Sequence, residues 1–283
     1  MLHRRHFLKA AGAAVLAPSL PADTPSKQRH ANDVILLGPD KVALSRLALG
    51  TGTKGGRGSS AQTRQLGLRG LSDLYWYGYD QGVTFWDSAD SYGSHPHLKE
   101  ALKRIPREKV AIMTKTRAKT AAEMRADLDR FRQELGTDFL DIVLLHAVRE
   151  ADWPEQRKGA MEVLAEAREK KMVRTHGLSC HSLEALKTAA RTPWVRVDLA
   201  RINPVGAMMD SDPDTVIAVL RQMKAAGKGI IGMKILGEGA LRDRAPEALK
   251  FAMSLDCVDC FTIGAESRQE LADLITRIPV ASV

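Results

Sequence analysis

Cysteine is scarce in this chain, which contains three cysteines among 283 residues. Three thiols cannot build the dense disulfide framework of a small secreted domain. Cys257 and Cys260 form a C-x-x-C pair, an arrangement compatible with a redox pair in an exported protein. Because Cys260 opens an apolar run, ordinary burial in the core is the favoured interpretation. A structural zinc site would need two more ligands nearby, and the sequence offers none there.

Long apolar runs and clusters of basic and aromatic residues are also lacking. The apolar stretch at residues 10–17 is too short to span a bilayer, and no later stretch is longer, so we expect no membrane span in the mature protein. The net charge of +8 is spread over the chain. This pattern argues against a nucleic-acid partner and is compatible with attraction of an anionic cofactor. A hydrophobic content of 44% is sufficient for a full core.

The N-terminus has the organisation of an export signal. Arg4 and Arg5 precede Phe-Leu-Lys, a short apolar stretch and a small-residue segment ending at Ala22. The paired arginines resemble a twin-arginine signal, which implies the twin-arginine export machinery as a partner and a periplasmic or secreted location. We therefore divide the chain into a signal peptide at 1–22, a polar linker at 23–33 and one folded domain at 34–283. The alternative is a basic amphipathic N-terminus on a cytoplasmic protein.

The remaining sequence alternates between strands and helices. Two short apolar runs at 34–37 and 42–44 flank Gly-Pro-Asp-Lys and predict a β-hairpin. Continuously apolar strands, typical of a parallel sheet covered on both faces, are predicted near 46–51, 83–87, 110–115, 140–145, 174–178, 197–202, 229–234 and 260–264. Helices are predicted near 63–81, 95–104, 120–136, 155–171, 182–190, 213–226, 245–254 and 267–278. Eight strand–helix pairs favour an α/β fold of the (β/α)8 TIM-barrel type with an N-terminal β-hairpin, and the alternative is an open doubly wound sheet.

Several helix ends carry recognisable signals. Thr120 and Glu123 have the spacing of a capping box, and Pro213 follows Asp212 at a predicted first helical position. Gly136 and Gly227 come just after predicted helices, where a left-handed cap is expected.

Ionisable residues stand at the carboxyl ends of three consecutive predicted strands. Asp87 ends one strand, Lys115 ends the next and His146 ends the third, while Tyr92 lies on the loop after Asp87. In a barrel these ends meet at the active-site face. An ammonium group near a phenol lowers its pKa and makes it a usable acid, and Asp87 would hold Lys115 by an ion pair. A histidine N–H could orient a substrate oxygen. This combination suits carbonyl reduction, in which the new alkoxide needs a proton and a cofactor supplies the hydride.

An ordered set of motifs resembles the aldo-keto reductase family over about residues 34–278. It comprises Asp87-Ser-Ala-Asp-Ser-Tyr92-Gly93, Lys115, Leu144-Leu145-His146, Ser45-Arg-Leu-Ala-Leu-Gly50-Thr51, Gly177-Leu178-Ser179, Met233-Lys-Ile-Leu-Gly-Glu-Gly239 and Ile263-Gly-Ala-Glu-Ser267. The resemblance implies an NAD(P)H-dependent oxidoreductase that reduces a small aldehyde or ketone to the alcohol. It also implies that Asp87, Tyr92, Lys115 and His146 are the catalytic tetrad, with Tyr92 as proton donor.

The same resemblance implies where a dinucleotide would bind. Cofactor contacts are expected from Gly50, Thr51, Ser179, Lys234, Leu236, Gly239, Gly264, Ser267, Arg268 and Glu270. The N-terminus of the last helix also offers N–H groups to a phosphate. Because Arg268 could serve a 2′-phosphate, NADP(H) is favoured over NAD(H).

The chain departs from the family pattern at four places, and those at Cys180 and next to Lys234 keep a second function open. Cys180 replaces an asparagine after the fifth barrel strand, the sixth strand lacks its usual glutamine, no aromatic residue stands near Met233, and Glu266 stands where a cation is frequent. The alternative is therefore a dinucleotide-binding sensory or regulatory barrel with little turnover. The C-terminal cysteine cluster of the iron–sulfur relatives is absent, so neither an iron–sulfur cluster nor a metal is expected.

Three further features have plain interpretations. Residues 50–55 match G-x-G-x-x-G, yet no helix opens there, so a barrel loop is favoured over a Rossmann turn. His95 and His97, with His146, would support a metal-dependent lyase or hydrolase, but a polar loop is the simpler interpretation. Trp86 should point away from Asp87 and pack in the core.

Overall fold

A closed barrel of eight parallel strands forms the body of the protein in the computed structural model, which describes residues 28–282. A two-stranded antiparallel hairpin, β1 (Val34–Leu37) and β2 (Val42–Ser45), precedes it. The barrel strands are β3 (Leu47–Gly50), β4 (Phe85–Asp87), β5 (Ala111–Thr116), β6 (Leu140–Val148), β7 (Val173–Cys180), β8 (Val197–Arg201), β9 (Gly229–Met233) and β10 (Cys260–Gly264). Each pairs with the next, and β10 pairs with β3. The predicted (β/α)8 barrel with its hairpin is confirmed, and the open sheet is wrong.

Helices follow the strands and cover the outside of the barrel. They are α1 (Ala61–Asp80), α2 (His95–Ala101), α3 (Ala121–Leu135), α4 (Trp153–Gln156), α5 (Lys158–Glu169), α6 (Leu183–Arg191), α7 (Pro213–Ala225), α8 (Ala245–Ser254) and α9 (Arg268–Ala281). The Thr120–Glu123 capping box is present at α3, and Pro213 lies in the first turn of α7. Gly136 and Gly227 have φ of +67° and +77°, so both left-handed caps are confirmed.

Some element boundaries differ from the sequence predictions for local reasons. The helix expected at 155–171 is two helices, because Arg157 between them has a non-helical φ of −118°. Helix α1 is interrupted at Gly67, whose φ of +60° lies in the left-handed region. Strand β6 continues to Val148, past an irregularity in its pairing with β7, and Ala147 there has φ of +53°.

The core has two layers, as strand alternation requires. One cluster lies inside the barrel and includes Phe85, Met113, Leu144 and Leu199, while a larger cluster lies between strands and helices. Trp86 belongs to the outer layer, where its ring lies 4.6 Å from that of Tyr75. Its predicted packing role is confirmed. Each fully buried large side chain contributes about 1.5–3 kcal/mol by removal from water.

The hairpin packs against the inside layer of the barrel. Leu37, Val42 and Leu44 belong to that same cluster. At the hairpin turn Asp40 forms ion pairs with Arg196 and Arg168. These contacts attach the hairpin to the barrel away from the loops that follow the strands.

The residues that precede the hairpin are held against the barrel. Ala31 is buried and its carbonyl oxygen accepts a hydrogen bond from the Leu47 N–H (2.9 Å), while Asp33 pairs with Arg46. The proposed signal peptide, its cut after Ala22 and the linker as far as residue 27 lie outside the described residues. Over residues 28–282, no helix has the length and apolar character needed to cross a bilayer.

All three cysteines are free and buried. Burial raises the pKa of the Cys257 and Cys260 thiols, so neither is an activated thiolate. Packing in the core, the favoured interpretation, is confirmed for this pair.

Candidate active site

The carboxyl ends of β4, β5 and β6 bring the four predicted catalytic residues to one face of the barrel. Parallel pairing places Asp87 beside Gly50 on one side and Met113 on the other. Tyr92 lies on a short 3-10 turn, Asp90–Tyr92, directly after β4. This face is where barrel enzymes assemble their active sites.

Lys115 and Asp87 form a buried ion pair beneath Tyr92. The Lys115 side chain is 1% exposed, and its Nζ bonds to Asp87 Oδ1 and donates to the Ser88 carbonyl oxygen at 2.7 Å. Thr262 Oγ1 donates to the other carboxylate oxygen of Asp87 at 2.8 Å. Burial opposes the charge on Lys115, but the attraction of Asp87 outweighs it and raises the pKa of the ammonium group. Lys115 therefore remains charged at neutral pH.

Tyr92 lies between this ion pair and His146. Its ring centroid is 4.9 Å from Lys115 Nζ, and its hydroxyl oxygen is 3.5 Å from His146 Nε2. Burial raises the pKa of the Tyr92 phenol, and the lowering effect of Lys115 is smaller, so the net direction is upward. We expected the lysine to prevail, and desolvation of the phenolate explains the difference. In this state the phenol keeps its proton and can donate it.

His146 is a neutral hydrogen-bonding group. Burial, followed by the positive charge of Lys115, holds the pKa of its ring well below the usual value. Its Nδ1 is buried and has no hydrogen-bond partner within residues 28–282. The ring of His181 meets that of His146 edge-on, with 6.4 Å between centroids. A neutral imidazole here can donate to or accept from a substrate oxygen.

The loop after β3 encloses the Tyr92 ring. A Cβ atom at Gly52 or at Gly55 would lie 2.6 Å from carbon atoms of that ring. On the opposite side, Arg130 of α3 donates to Asp90 Oδ1 at 2.7 Å and so fixes the 3-10 turn. Neighbouring backbone and side chains thus define the position of the phenol.

Three of the expected cofactor residues occupy crowded positions at the ends of β3 and β10. Gly50 pairs with Gly264 across these strands. A Cβ atom at Gly50 would lie 2.7 Å from Thr262 Oγ1, and one at Gly264 would lie 2.6 Å from Gln62 Nε2. Thr51 is buried and donates to the Asp87 carbonyl oxygen at 2.8 Å. These residues shape the floor of the site.

Ser179 lies at the end of β7, with its hydroxyl close to the loop after His146. Its Oγ accepts a hydrogen bond from the Ala147 N–H at 2.9 Å, so the hydroxyl proton is still available for donation. The adjacent Cys180 belongs to the outer layer, where its Sγ donates to Asp198 at 3.3 Å. Burial raises the pKa of Asp198 to about 7. The cysteine therefore faces away from the barrel mouth.

The loop Lys234–Gly239 has an unusual backbone. Lys234, Gly237, Glu238 and Gly239 all have positive φ, while Leu236, directly before Gly237, has φ of −93°. The Gly237 and Gly239 N–H groups donate within the loop, to the carbonyl oxygens of Lys234 (2.8 Å) and Leu236 (3.0 Å). Lys234 Nζ pairs with Glu238 at 3.2 Å.

The start of α9 holds the last three expected cofactor residues. Ser267 and Glu270 cap the helix, since Ser267 Oγ accepts from the Glu270 N–H at 3.1 Å and Glu270 accepts from the Glu266 N–H at 2.8 Å. Arg268 is exposed, with its guanidinium carbon 5.8 Å from the Tyr77 ring centroid. Arg242 donates to Glu270 at 2.8 Å.

Sequence reasoning missed Thr262 and Arg242. Thr262 lies 175 residues after Asp87, and only closure of the barrel brings β10 beside β3, one strand away from β4. Its inward position follows from strand alternation, which is the one signal that could have identified it.

The metal interpretation of the histidines finds no support in the geometry. Both ring nitrogens of His95 are engaged, Nδ1 with Glu134 at 2.6 Å and Nε2 with Thr114 at 2.7 Å. Within the described part of the chain, no three His, Cys, Asp or Glu side chains come together as a metal site would require. The G-x-G-x-x-G segment is a loop, and α1 begins only at Ala61, so the barrel-loop interpretation is confirmed.

Comparison with known families agrees with this arrangement. The profile of the aldo/keto reductase family matches residues 46–255. The profile of the twin-arginine translocation pathway signal sequence matches residues 1–21, which supports export across the membrane. A curated relative, probable aldo-keto reductase 1 of Glycine max, is 28% identical over 127 residues. That match covers 40% of this chain and 36% of the relative, about a third of its length.

Solved structures share the fold. One assigned as an aldo-keto reductase from Pseudomonas aeruginosa has a TM-score of 0.75 at 23% identity and covers 92% of this chain and 99% of its own. The aldo-keto reductase AKR11C1 from Bacillus halodurans, in its holo form, has a TM-score of 0.68 at 16% identity and covers 87% of this chain and 90% of its own. At these identities the similarity shows the barrel alone. Because the family profile spans most of the chain, this protein belongs to the aldo/keto reductase family of oxidoreductases.

Proposed function

We propose that this protein is an exported NAD(P)H-dependent reductase that converts a small aldehyde or ketone to the alcohol, with Tyr92 as the proton donor. The observation that carries the proposal is the position of Tyr92, whose ring lies 4.9 Å from Nζ of the buried Lys115 and whose hydroxyl oxygen lies 3.5 Å from His146 Nε2. Membership of an oxidoreductase family supports it.

The four side chains have complementary roles in this proposal. The His146 ring orients the carbonyl oxygen of the substrate beside the Tyr92 hydroxyl group. The Tyr92 hydroxyl oxygen lies 3.5 Å from His146 Nε2. As negative charge develops on that oxygen, the Tyr92 hydroxyl gives up its proton, and the Lys115 ammonium stabilises the phenolate that remains. Asp87, fixed by Thr262, keeps Lys115 in place and charged.

Residues around the barrel mouth fit a dinucleotide. Among residues 28–282 the Ser179 hydroxyl donates to no partner, so it can donate to a carboxamide oxygen, and Lys234 supplies an ammonium group on the loop that would lie along the pyrophosphate. Arg268 and Arg242 bring two guanidinium groups to the start of α9, which favours a 2′-phosphate and hence NADP(H) over NAD(H). When bound, the reduced nicotinamide supplies hydride to the carbonyl carbon. The helix cap at Ser267 and Glu270 is already satisfied, so these two residues would contribute shape.

Export by the twin-arginine route suits a cofactor-dependent enzyme in our proposal. The protein would fold and bind its dinucleotide in the cytoplasm before crossing the membrane. The division into a signal at 1–22, a linker at 23–33 and the enzyme at 34–283 belongs to the same proposal.

The test compares the mature protein with its Tyr92→Phe variant, using Tyr79→Phe as a matched control. Binding of NADPH and NADH is followed by nicotinamide fluorescence, and turnover by carbonyl-dependent loss of the reduced cofactor. We expect all three proteins to bind NADPH more tightly than NADH. We expect Tyr92→Phe alone to lose about 10²–10⁴-fold in kcat/KM, the usual contribution of a general acid.

Two results would contradict the proposal. Tight binding without turnover by the unaltered protein across a broad carbonyl panel would favour the sensory barrel. Failure to bind either dinucleotide would show that the altered residues around the nicotinamide and adenosine positions abolish cofactor binding, even though the tetrad is intact.

A further inference from the structure

We propose that the carbonyl substrate carries a carboxylate, and that Arg201, at the mouth of the barrel beside His181, binds it. This inference rests on the reductase function proposed above and names the substrate class for the same site. It begins from a cation that neither the proposed proton transfer nor the proposed cofactor contacts use.

Arg201 is the last residue of β8, on the inward face of that strand. Val197 and Leu199 belong to the cluster inside the barrel, and residues two apart on a strand share a face. Arg201 therefore continues the interior row at the carboxyl end of the strand, where it pairs in register with Met233 of β9. Arg201 therefore lies at the same end of the barrel as Tyr92.

The guanidinium group of Arg201 has unused donor capacity. Within residues 28–282 it makes a single hydrogen bond, from Nη2 to Asp210, and its Nε is buried without a partner. A guanidinium group carries five N–H donors in a rigid fork that matches a carboxylate. The side chain is 12% exposed, so a second carboxylate bound there would be largely shielded from water and held strongly.

A chain of contacts connects Arg201 with the proposed proton donor. Tyr92 is 3.5 Å from His146 Nε2, and the His146 ring meets the His181 ring at 6.4 Å. Burial, and then the positive charge of Arg201, lowers the pKa of His181 to about 3. His181 is therefore neutral. Ser179 of β7 pairs in register with Leu199 of β8, so His181 and Arg201, each two residues further along the chain, stand at the same level of neighbouring strand ends.

The surrounding charge at the mouth is positive. Besides Arg201, the cations that lower the pKa of His146 or His181 are Lys115, Arg117, Arg149 and Lys234. Three of the five cations have carboxylate partners, namely Asp87, Asp210 and Glu238. Arg117 and Arg149 are exposed and make no ion pair with any residue that the structure describes. An excess of positive charge at these strand ends attracts anions.

The experiment uses 2-, 3- and 4-carboxybenzaldehyde and their methyl esters as matched probes in the NADPH-dependent assay. The three isomers vary the distance between aldehyde and carboxylate, and each ester removes only the charge. The main variant is the double substitution Arg201→Met, Asp210→Asn, which leaves no unpaired carboxylate behind. Asp210→Asn alone retains Arg201, and Arg221→Met removes an exposed arginine paired with Asp256.

We expect the unaltered protein to prefer at least one acid to its ester by about 10–100-fold in kcat/KM, mainly through KM, as a charge-assisted bond would provide. The ratio of kcat/KM for the acid to that for its ester should fall to about one in the double variant. The ratio should remain high in Asp210→Asn and Arg221→Met. Calorimetric titration with benzoate should show binding that the double variant loses.

Several outcomes would overturn the inference. Equal turnover of acid and ester by the unaltered protein, with activity still dependent on Tyr92, would reject the carboxylate site and leave the reductase standing. A weaker affinity for NADPH in the double variant, with the acid preference unchanged, would assign Arg201 to the cofactor instead. If no aldehyde is reduced, the proposed function fails, and benzoate binding then decides separately whether Arg201 holds an anion.

Discussion

Asp87 and Lys115 form an ion pair that is almost removed from water. Such a pair is weak support for stability, because the cost of desolvating both charges offsets most of their attraction. The pair lies directly under the Tyr92 ring, where it affects the acidity of the phenol. Lys115 is the strongest influence that lowers the pKa of the Tyr92 phenol. At the scale of single residues, the pair therefore relates to proton transfer more than to folding.

Replacing Lys115 should move the alkaline limit of the reaction upward. Reduction needs protonated Tyr92, so activity is lost as pH rises through the phenol pKa. In Lys115→Met that pKa rises, because the ammonium group no longer stabilises the phenolate. We expect the alkaline limb of kcat/KM to shift to higher pH and the rate at pH 7 to fall at least about tenfold. The measurement is a pH profile of kcat/KM.

In Lys115→Met the buried Asp87 carboxylate loses its partner, and its charge also affects Tyr92. A double variant removes that second effect. In Lys115→Met, Asp87→Asn both charges are removed, and the limb should still move up because the lysine affects Tyr92 more strongly than the aspartate does. Lys99→Met, on the exposed side of α2, serves as the control. A limb that stays in place or moves down would show that Lys115 does not act on Tyr92.

The predicted tetrad and its surroundings differ in how far the sequence reveals them. Asp87, Lys115 and His146 each end a strand, so barrel geometry alone places them on one face. Thr262 and Arg201 were not predicted as site residues, because their contacts depend on barrel closure and on the inward register of β10 and β8. The direction of the Tyr92 pKa also depended on burial, which sequence does not give.

The loop between β3 and α1 is the element that confines Tyr92. Gly52 and Gly55 have ordinary negative φ, so alanine at either position meets no backbone strain and acts only through its Cβ, 2.6 Å from the tyrosine ring. A contact that short forces the ring or the loop to move. The loop therefore provides a way to displace the phenol without altering it.

We expect Gly52→Ala and Gly55→Ala each to reduce kcat/KM by about 10²-fold, because a displacement of this size spoils the alignment of the proton donor. The control is Gly56→Ala, where a Cβ would meet nothing within 4 Å. Kinetics and circular dichroism would be measured for all three. Equal activity in the Gly52 and Gly56 variants would mean that the ring position does not limit the reaction.

Element predictions succeeded where local chemistry decides and failed where long-range contacts do. The cap residues Thr120, Gly136 and Pro213 act within one turn, and all are confirmed. The division of the 155–171 helix at Arg157 was not visible in sequence, since Nη1 of that side chain reaches the Arg117 carbonyl oxygen, 40 residues away. A contact between residues far apart in the sequence produces no periodic pattern of residue types by which it could be predicted.

At the scale of the whole molecule, the export signal precedes the barrel in the sequence. The paired arginines at positions 4 and 5 lie within the region matched by the twin-arginine signal profile. Replacing both with lysine keeps the charge but removes the pair that the export machinery reads. We expect at least about tenfold less protein in the exported fraction, with the precursor retained in the cytoplasm.

Cell fractionation and immunoblotting would measure this, with Lys27→Arg as a control outside the matched segment. Undiminished export of the double lysine variant would exclude the twin-arginine route. Activity of the retained precursor would show in addition that the barrel folds before it crosses the membrane.

The two ends of the described chain lie together. The Arg29 N–H donates to Ser282 Oγ at 2.9 Å, and the Arg29 side chain donates to the Met253 carbonyl oxygen at 3.0 Å. A short peptide could therefore join these ends, and the joined chain could be opened at the turn between α6 and β8. Such a circular permutant would keep every strand pairing of the barrel while its polypeptide begins and ends at a new point.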